Sequence, residues 1–500
     1  MTTIALAVPH GVAARFLLRT QILPRLLDAG VRVVVLVPNP DEPYLQAELC
    51  HPDIVLERLQ ATNDPPRSRP WLALMLLRGH VLAGGARNGT LHAKLRQTAR
   101  RLSAGRASGR VAAVALKGAA KLLWRSRALR RGLVFAETRA CMPDRHRDIL
   151  LRHRPDLLVT TSPGWFPADA AILEEARRAA VPTLACVLGW DNPTSKGYRS
   201  MAPQRTIAWS AHMAAQLAAL HDLAPARIDT AGVPHFDRYV VPGAVADRAD
   251  LFARLGLEPA RRLVVFATAT PIGFADNAGV ARILAEAIED GRLGIDAQLV
   301  VRLHPFFFRP DRKEAYDELE QLAREQPHVH LDVPEIVSER MRSDVTEADD
   351  ERLAALLTHA DVLVNVYSTT TLEAFLADTP VVFAGGWVGP GVDGEPDPRT
   401  YSSYEHLREI VAEGAVQVAA TPGQLVEHVA RYLADPSLER AQRARFARRE
   451  TGPADGRAAE RTADLILQAA RSPSGARRPA RLRGGGVLRP GILRRRAGAR

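Results

Sequence analysis

Short apolar runs closed by polar or small residues recur along the chain, alternating with longer stretches of helical periodicity. Ile4 to Val8 predicts a first strand, Ala14 to Asp28 a helix ending at Gly30, and Val31 to Val37 a second strand. The order resumes with Asp156 to Thr161 as a strand, Ala168 to Ala180 as a helix and Val181 to Val187 as a strand. Such alternation predicts a parallel sheet with right-handed crossovers. A second set begins at Arg262 to Thr268. It continues through Ala297 to His304, Val329 to Asp332, Asp361 to Val366 and Pro380 to Phe383, and closes with a helix from Pro422 to Ala434.

With 500 residues, two domains are expected. The reading is an α/β chain of two doubly wound, Rossmann-like domains facing a cleft, with ligands at the carboxyl ends of the strands. The first domain spans 1–240 and carries a basic helical segment at 67–136; the second spans 241–445. A hinge is expected near Pro234 to Ala244, a crossover helix at 446–470 and a disordered Arg-rich tail at 471–500. The Gly/Pro/Asp-rich stretch Gly385 to Ser403 reads as a mobile loop.

Composition is globular, at 46% hydrophobic and 25% charged. Cys50, Cys141 and Cys186 are isolated, which points to a reducing cytosol and no structural zinc. No signal peptide opens the chain and no apolar run reaches bilayer length, so the expectation is a cytoplasmic protein, soluble or peripheral at the inner face of the plasma membrane.

The net charge of +11 is concentrated in two places. The stretch from Arg471 to Arg500 holds ten Arg and no acid; that from Arg67 to Ala136 holds sixteen Lys or Arg and no acid. The rest is an acidic body. Arg110 to Arg131 can be drawn as one helix with Arg110, Lys117, Lys121 and Arg125 on one face and Val111, Leu116, Ala119, Leu122 and Leu123 opposite. A basic amphipathic helix fits an anionic membrane surface, and its rival is a solvated helix packed on the first domain. Nucleic acid is the weakest reading, because aromatic interleaving is absent.

The chemistry concentrates at strand ends. Asp361 to Pro380 joins a strand to a helix through Tyr367-Ser-Thr-Thr-Thr371, and Thr370 with Glu373 fits a capping box. Backbone N–H groups and hydroxyls gathered at a helix start suit a phosphate. Thr268, Thr270, Arg302 and His304 fall on neighbouring strand ends, so with Ser368, Thr369, Thr370 and Glu373 they form a candidate donor site. Such a set supplies donors and positive charge to a diphosphate. In the first half, Gly189-Trp-Asp-Asn-Pro-Thr-Ser-Lys-Gly197 follows a strand. Asp191 there could accept a proton and Lys196 could offset phosphate charge; the plain alternative is an Asx turn with Trp190 as a core plug. His10, ending the first strand beside Gly11, rivals Asp191 as the base.

Together these pieces resemble the two-domain glycosyltransferase fold called GT-B, and within it the CDP-glycerol glycerophosphotransferase-like branch. That branch carries Trp-His-Gly-Thr-Pro-x-Lys, where this chain has Trp190-Asp-Asn-Pro-Thr-Ser-Lys196. Its Arg-x-His-Pro is matched by Arg302, His304 and Pro305, and its Ser-Asp-Tyr-Ser-Ser in part by Asn365, Tyr367, Ser368 and Thr369. Its late Asp-Gly-x-x-x-x-Arg is matched by Asp455, Gly456 and Arg461. The resemblance implies a transferase without bound metal or cofactor. It would move a glycosyl or polyol-phosphate group from a nucleotide diphosphate donor to a cell-envelope or lipid-linked acceptor. Gly11, Trp190, Asn192 and Lys196 would lie on the acceptor side, with Asp191 or His10 as base. The branch's His after Trp is Asp191 here, which favours glycosyl over glycerophosphate transfer. The rivals are a non-hydrolysing sugar-nucleotide 2-epimerase and a non-catalytic assembly protein on a decayed transferase.

Overall fold

The computed structural model describes residues 1–60, 69–86, 88–104, 107–141, 144–271, 274, 276–308, 313–338, 341, 343–388 and 404–471. The Arg-rich tail and most of the Gly385–Ser403 loop lie outside these residues.

Two parallel sheets organise the chain. The first contains β1 (Thr3–Ala7), β2 (Arg32–Val37), β3 (Ile54–Arg58), β4 (Leu157–Thr160), β5 (Thr183–Cys186), β6 (Arg205–Ala208) and β7 (Ile228–Thr230), in the order β3-β2-β1-β4-β5-β6-β7. The second contains β8 (Arg262–Ala267), β9 (Ala297–Arg302) and β10 (Val329–Asp332). A short antiparallel hairpin follows, β11 (Ile336–Ser338) with β12 (Asp344–Val345). The second sheet resumes with β13 (Val362–Asn365), β14 (Val381–Phe383) and β15 (Gln417–Val418), in the order β10-β9-β8-β13-β14-β15. In each sheet the order in which the chain adds strands therefore reverses once, between β1 and β4 and between β8 and β13. Those reversals are the switch points where doubly wound sheets bind ligands.

The central strands are buried on both faces, which is why they read as unbroken apolar runs. Helices cover both faces, and one cluster of buried apolar residues runs from Trp165, Val187 and Trp190 of the first domain to Phe375 and Phe446 of the second half. The helix Ala458–Arg471 returns to the first domain and packs on the helix Ile22–Asp28. Its start is held by the Asp237 carboxylate, which accepts from the backbone N–H groups of Ala458 and Ala459.

Several expectations are corrected. The helix expected from Ala14 to Asp28 is two, Gly11–Leu17 and Ile22–Asp28. Pro24 fits only a first helical turn, and the Thr20 hydroxyl turns the chain by accepting from Ile22 N–H. The basic helix drawn from Arg110 to Arg131 is also two, Ala107–Trp124 and Arg127–Cys141. Arg130 ends the first of them by donating to the Leu123 and Trp124 carbonyls while pairing with Asp222. The face that packs is Ala113, Leu116 and Ala120; Val111 and Leu122 stand exposed among the cations instead. At Pro422–Ala434 the expected bounds are those observed, with Pro422 in the first turn and Thr421 accepting from Gln424 N–H.

Candidate functional site

The helices that follow the two switch points meet. Arg15, on the helix after β1, pairs with Glu373 at 2.8 Å, on the helix after β13, and with Asp350 at 3.0 Å. The Tyr239 hydroxyl donates to the same Glu373 at 2.6 Å. All three partners of Arg15 or Glu373 are largely buried, so this contact joins the halves in a low-dielectric setting. The β11–β12 hairpin adds to it: Arg19 pairs with Asp344 at 2.8 Å, and Met341 is fully buried in the first-domain core. A Cβ on Gly11 would lie 2.2 Å from Asp344 Cα and from the Ser343 carbonyl oxygen. Only glycine fits there, and the second half of the chain covers that position. Glu373 is thus an inter-domain ion-pair partner. The capping box is not formed: Thr369 is the N-cap, and no side chain caps the helix.

On the second sheet the β13 turn is self-contained. The Asn365 amide donates to Thr371 Oγ1 at 3.0 Å and its carbonyl oxygen accepts from Ser368 N–H at 3.3 Å. Ser368 Oγ accepts from Thr370 N–H, and Tyr367 takes a left-handed backbone at φ 56°. Ser368, Thr369 and Thr370 are half-exposed at this bend. Thr268 is different. Its hydroxyl donates to the Arg302 carbonyl and accepts from His304 N–H, stapling β8 to β9, and the residue is buried. His304 Nδ1 accepts from Phe306 N–H at 3.1 Å, so in the neutral ring Nε2 carries the proton. Thr270 opens the loop after β8, where its carbonyl accepts from Phe274 N–H.

Arg302 is the clearest reversal of expectation. It is 6% exposed and donates to Asp332 at 2.7 Å and to Asp349 at 3.0 Å, while Arg352 bridges the same two carboxylates. Its guanidinium is fully engaged inside the second domain and is not presented to a diphosphate.

On the first sheet, His10 caps its helix by accepting from Ala13 N–H at Nδ1. Its ring meets Phe166 edge-on at 5.9 Å, and the Lys196 ammonium lies over the same ring, 5.9 Å from its centroid. Lys196 in turn stands 3.8 Å from Asp191, whose carboxylate also accepts the Ser195 hydroxyl. The Asn192 amide, oriented to satisfy its neighbours, donates to Asp191 at 3.1 Å and accepts from Gly189 N–H. Burial opposes the charge on Asp191, but Lys196, His406, the Ser195 hydroxyl and Lys94 outweigh it and hold the carboxyl down to about 2. A carboxylate so strongly stabilised is a weak proton acceptor at neutral pH. Trp190 is a buried plug, edge-on to His406 at 4.9 Å and to Phe446 at 6.1 Å.

Two members of this site escaped the sequence reading. Lys94, on the helix Gly89–Ser103, donates to the Ser195 carbonyl at 2.6 Å, and Asn88, the cap of that helix, donates to the Thr194 carbonyl at 3.0 Å. The basic segment therefore builds part of the site. His406, on the helix Glu405–Ala412, faces Trp190 from the second half; its Nδ1 is buried without a hydrogen-bond partner, and burial lowers the imidazole to about 4. No local pattern marks either residue, since each acts on a loop more than a hundred positions away or across the cleft.

Among the described residues one group has ligand-like spacing for a metal: His212, Glu409 and Glu450, with donor atoms within 4.8 Å. Arg449 already pairs with both carboxylates at 2.9 Å, which neutralises the charge an ion would need.

No protein-family model matches the sequence, and no curated protein is similar to it in sequence. Solved structures are similar in fold. UDP-GlcNAc 2-epimerase from Neisseria meningitidis bound to UDP-GlcNAc aligns at 11% identity and TM-score 0.52, over 94% of this chain and 100% of that one. The S. aureus MnaA–UDP co-structure aligns at 12% identity and TM-score 0.52, over 94% and 96%. A glycosyltransferase from Rickettsia africae aligns at 11% identity and TM-score 0.45, over 94% and 99%. The fold is GT-B. The helices that follow its β1/β4 and β8/β13 switch points are in contact through Arg15 and Glu373.

Proposed function

We propose that this GT-B chain is a transferase that takes a glycosyl or polyol-phosphate group from a nucleotide diphosphate donor and passes it to an envelope or lipid-linked acceptor. The donor lies against the β8/β13 switch point, where Ser368, Thr369 and Thr370 offer hydrogen bonds to phosphate oxygens. The acceptor lies against the Trp190–Lys196 loop. One observation carries the reading: the first-domain wall presents Lys94 and Lys196 against a single carboxylate, Asp191. A site that only inverts a sugar carbon by moving protons calls for acid–base carboxylates there, whereas an acceptor-holding site does not. The second reading is a sugar-nucleotide 2-epimerase, favoured by the fold likeness at TM-score 0.52 to such an enzyme. Proton acceptance from an acceptor hydroxyl falls to His10 rather than to Asp191, which fixes Lys196 and Ser195.

A thermal-shift panel of UDP, CDP and GDP with their sugar and glycerol conjugates tests donor binding, and no stabilisation by any of them removes the proposal in favour of a non-catalytic protein. Incubation with UDP-GlcNAc alone separates the enzyme readings: an epimer formed without acceptor supports the epimerase.

The acceptor's setting follows from the basic segment. No helix among the described residues is long and apolar enough to cross a membrane. The Ala107–Trp124 helix nevertheless exposes Val111 at 70%, Val114 at 72% and Leu122 at 58% beside Arg110, Lys117, Lys121 and Arg125. Apolar and cationic side chains on one free face suit an anionic bilayer surface. Sedimentation with phosphatidylglycerol vesicles is expected for the chain and is expected to fall in Val111→Ser/Val114→Ser/Leu122→Ser; equal sedimentation removes the membrane part alone.

A further inference from the structure

Two ammonium groups meet at the Trp190–Lys196 loop, Lys196 from the loop itself and Lys94 from the helix Gly89–Ser103, and one carboxylate answers them. Lys94 is pinned to the Ser195 carbonyl at 2.6 Å, and Lys196 lies 3.8 Å from Asp191. Among the described residues the charges acting on Lys94 are those of Lys196 and Asp191. His80 and His406, which also feel this pair, are kept neutral at physiological pH by burial. The local sum is one uncompensated positive charge in a half-buried place, where water screens poorly. Burial, then repulsion from Lys196, lowers the Lys94 ammonium to about 8. Cations held together against their own repulsion gain most from a compact anion with several acceptor oxygens. The patch is continuous with the β1/β4 switch point through the Phe166 ring and His10.

We propose that Lys94 and Lys196 form a phosphoryl-group subsite on the first-domain wall of the cleft. The carrier of that group is either the donor's diphosphate or a phosphate on the acceptor itself; only this choice rests on the nucleotide-donor reading above. In both cases the helical insertion that supplies Lys94 is a working part of the site, and Asp191 sets the spacing of the two ammonium groups.

Isothermal titration of the full chain with inorganic phosphate tests the subsite. Wild type is expected to show saturable binding that weakens roughly tenfold in Lys196→Met and disappears in Lys94→Met/Lys196→Met. Lys196→Met is expected to keep the wild-type melting temperature, so its result stands even if the double variant folds poorly. Repeating the titration with saturating UDP separates the sources. Phosphate that still binds identifies a phosphorylated acceptor; phosphate displaced by UDP, with UDP itself weakened by Lys196→Met, identifies the donor. Equal phosphate affinity in wild type and Lys196→Met, or no saturable binding to wild type, overturns the subsite. Lysine-dependent phosphate binding by a chain indifferent to UDP, CDP and GDP keeps the subsite and removes the donor reading.

Discussion

In the cleft proposed above, the two walls are built on the same topology and finished in different ways. At the β8/β13 wall the polar groups satisfy one another: Asn365 holds Ser368 and Thr371 within one turn, and Thr268 holds His304 on the neighbouring strand end. That wall is neutral, and its charged residues, Arg302 and Arg352 with Asp332 and Asp349, are sealed behind it. At the first-domain wall the groups are charged and come from two separate segments, Lys94 from one helix and Asp191 and Lys196 from one loop, and they are partly exposed. A neutral wall of preset hydrogen bonds can orient a ligand whose charge is met elsewhere, whereas a wall with spare positive charge draws an anionic group to itself. The division of labour is testable by breaking each wall in turn.

The largest effect is expected from the sealed network. In Arg302→Met the carboxylates of Asp332 and Asp349 lose a partner inside the second domain, and leaving a buried charge uncompensated costs about 3–5 kcal/mol. Chemical denaturation should show that loss, with the second half of the chain affected first. If Arg302→Met instead keeps wild-type stability and loses only nucleotide binding, the guanidinium belongs to the neutral wall and the contrast fails.

Asp169 sharpens the comparison from the other side, because it is a fully buried carboxyl of the first domain. It supports the turn after β4 through Thr161 and Ser162, and burial raises it to about 6 despite those hydrogen bonds. Its folded value lies above its unfolded value of about 3.9, so the folded state holds the extra proton between them. Stability is thus lost as pH rises from about 4 to about 6, by roughly 3 kcal/mol for a shift of that size. Denaturation midpoints measured across this range should fall in wild type and stay flatter in Asp169→Asn.

The same contrast explains what the sequence could and could not reveal. The β8/β13 wall was legible because strand, hydroxyl turn and helix follow one another at Val362–Leu376, so periodicity and turn chemistry report on it directly. The doubly wound architecture was legible for the same reason, since buried parallel strands are apolar throughout. Edge strands such as β3 and β7 were not foreseen; β3 runs Ile-Val-Leu-Glu-Arg and β7 is three residues long, so neither carries a full apolar run. Arg302 shows a subtler limit. Its place at a strand end was read correctly, yet its direction depends on Asp332 and Asp349, 30 and 47 positions later. Lys94 and His406 lay beyond local reasoning altogether, because only the tertiary fold brings them to Trp190 and Asp191.

Between the walls sits the Arg15–Glu373 pair, and it offers a smaller perturbation. Arg15→Met removes the bonds to Glu373 and Asp350 while the Tyr239 hydroxyl keeps one partner on Glu373. We expect a loss of about 1–3 kcal/mol, within the range for charge-assisted hydrogen bonds. Small-angle scattering should show a larger radius of gyration, because the pair joins the helices behind the two switch points. An unchanged radius would mean that the Trp190–Phe446 contact and the Met341 plug hold the halves together without it.

The smallest effect, and the most specific, belongs to the neutral wall itself. Ser368→Ala removes an oxygen that accepts from Thr370 N–H on a half-exposed turn, so stability should change by less than about 1 kcal/mol. Binding of the preferred nucleotide diphosphate should weaken roughly tenfold, as expected for one hydrogen bond to a charged phosphate oxygen. The informative control is Lys196→Met measured with the same nucleotide. If Ser368→Ala weakens nucleotide binding and Lys196→Met does not, the neutral wall holds the donor and the charged wall serves the acceptor. If Lys196→Met weakens the nucleotide more than Ser368→Ala does, the diphosphate reaches across the cleft and both walls share it.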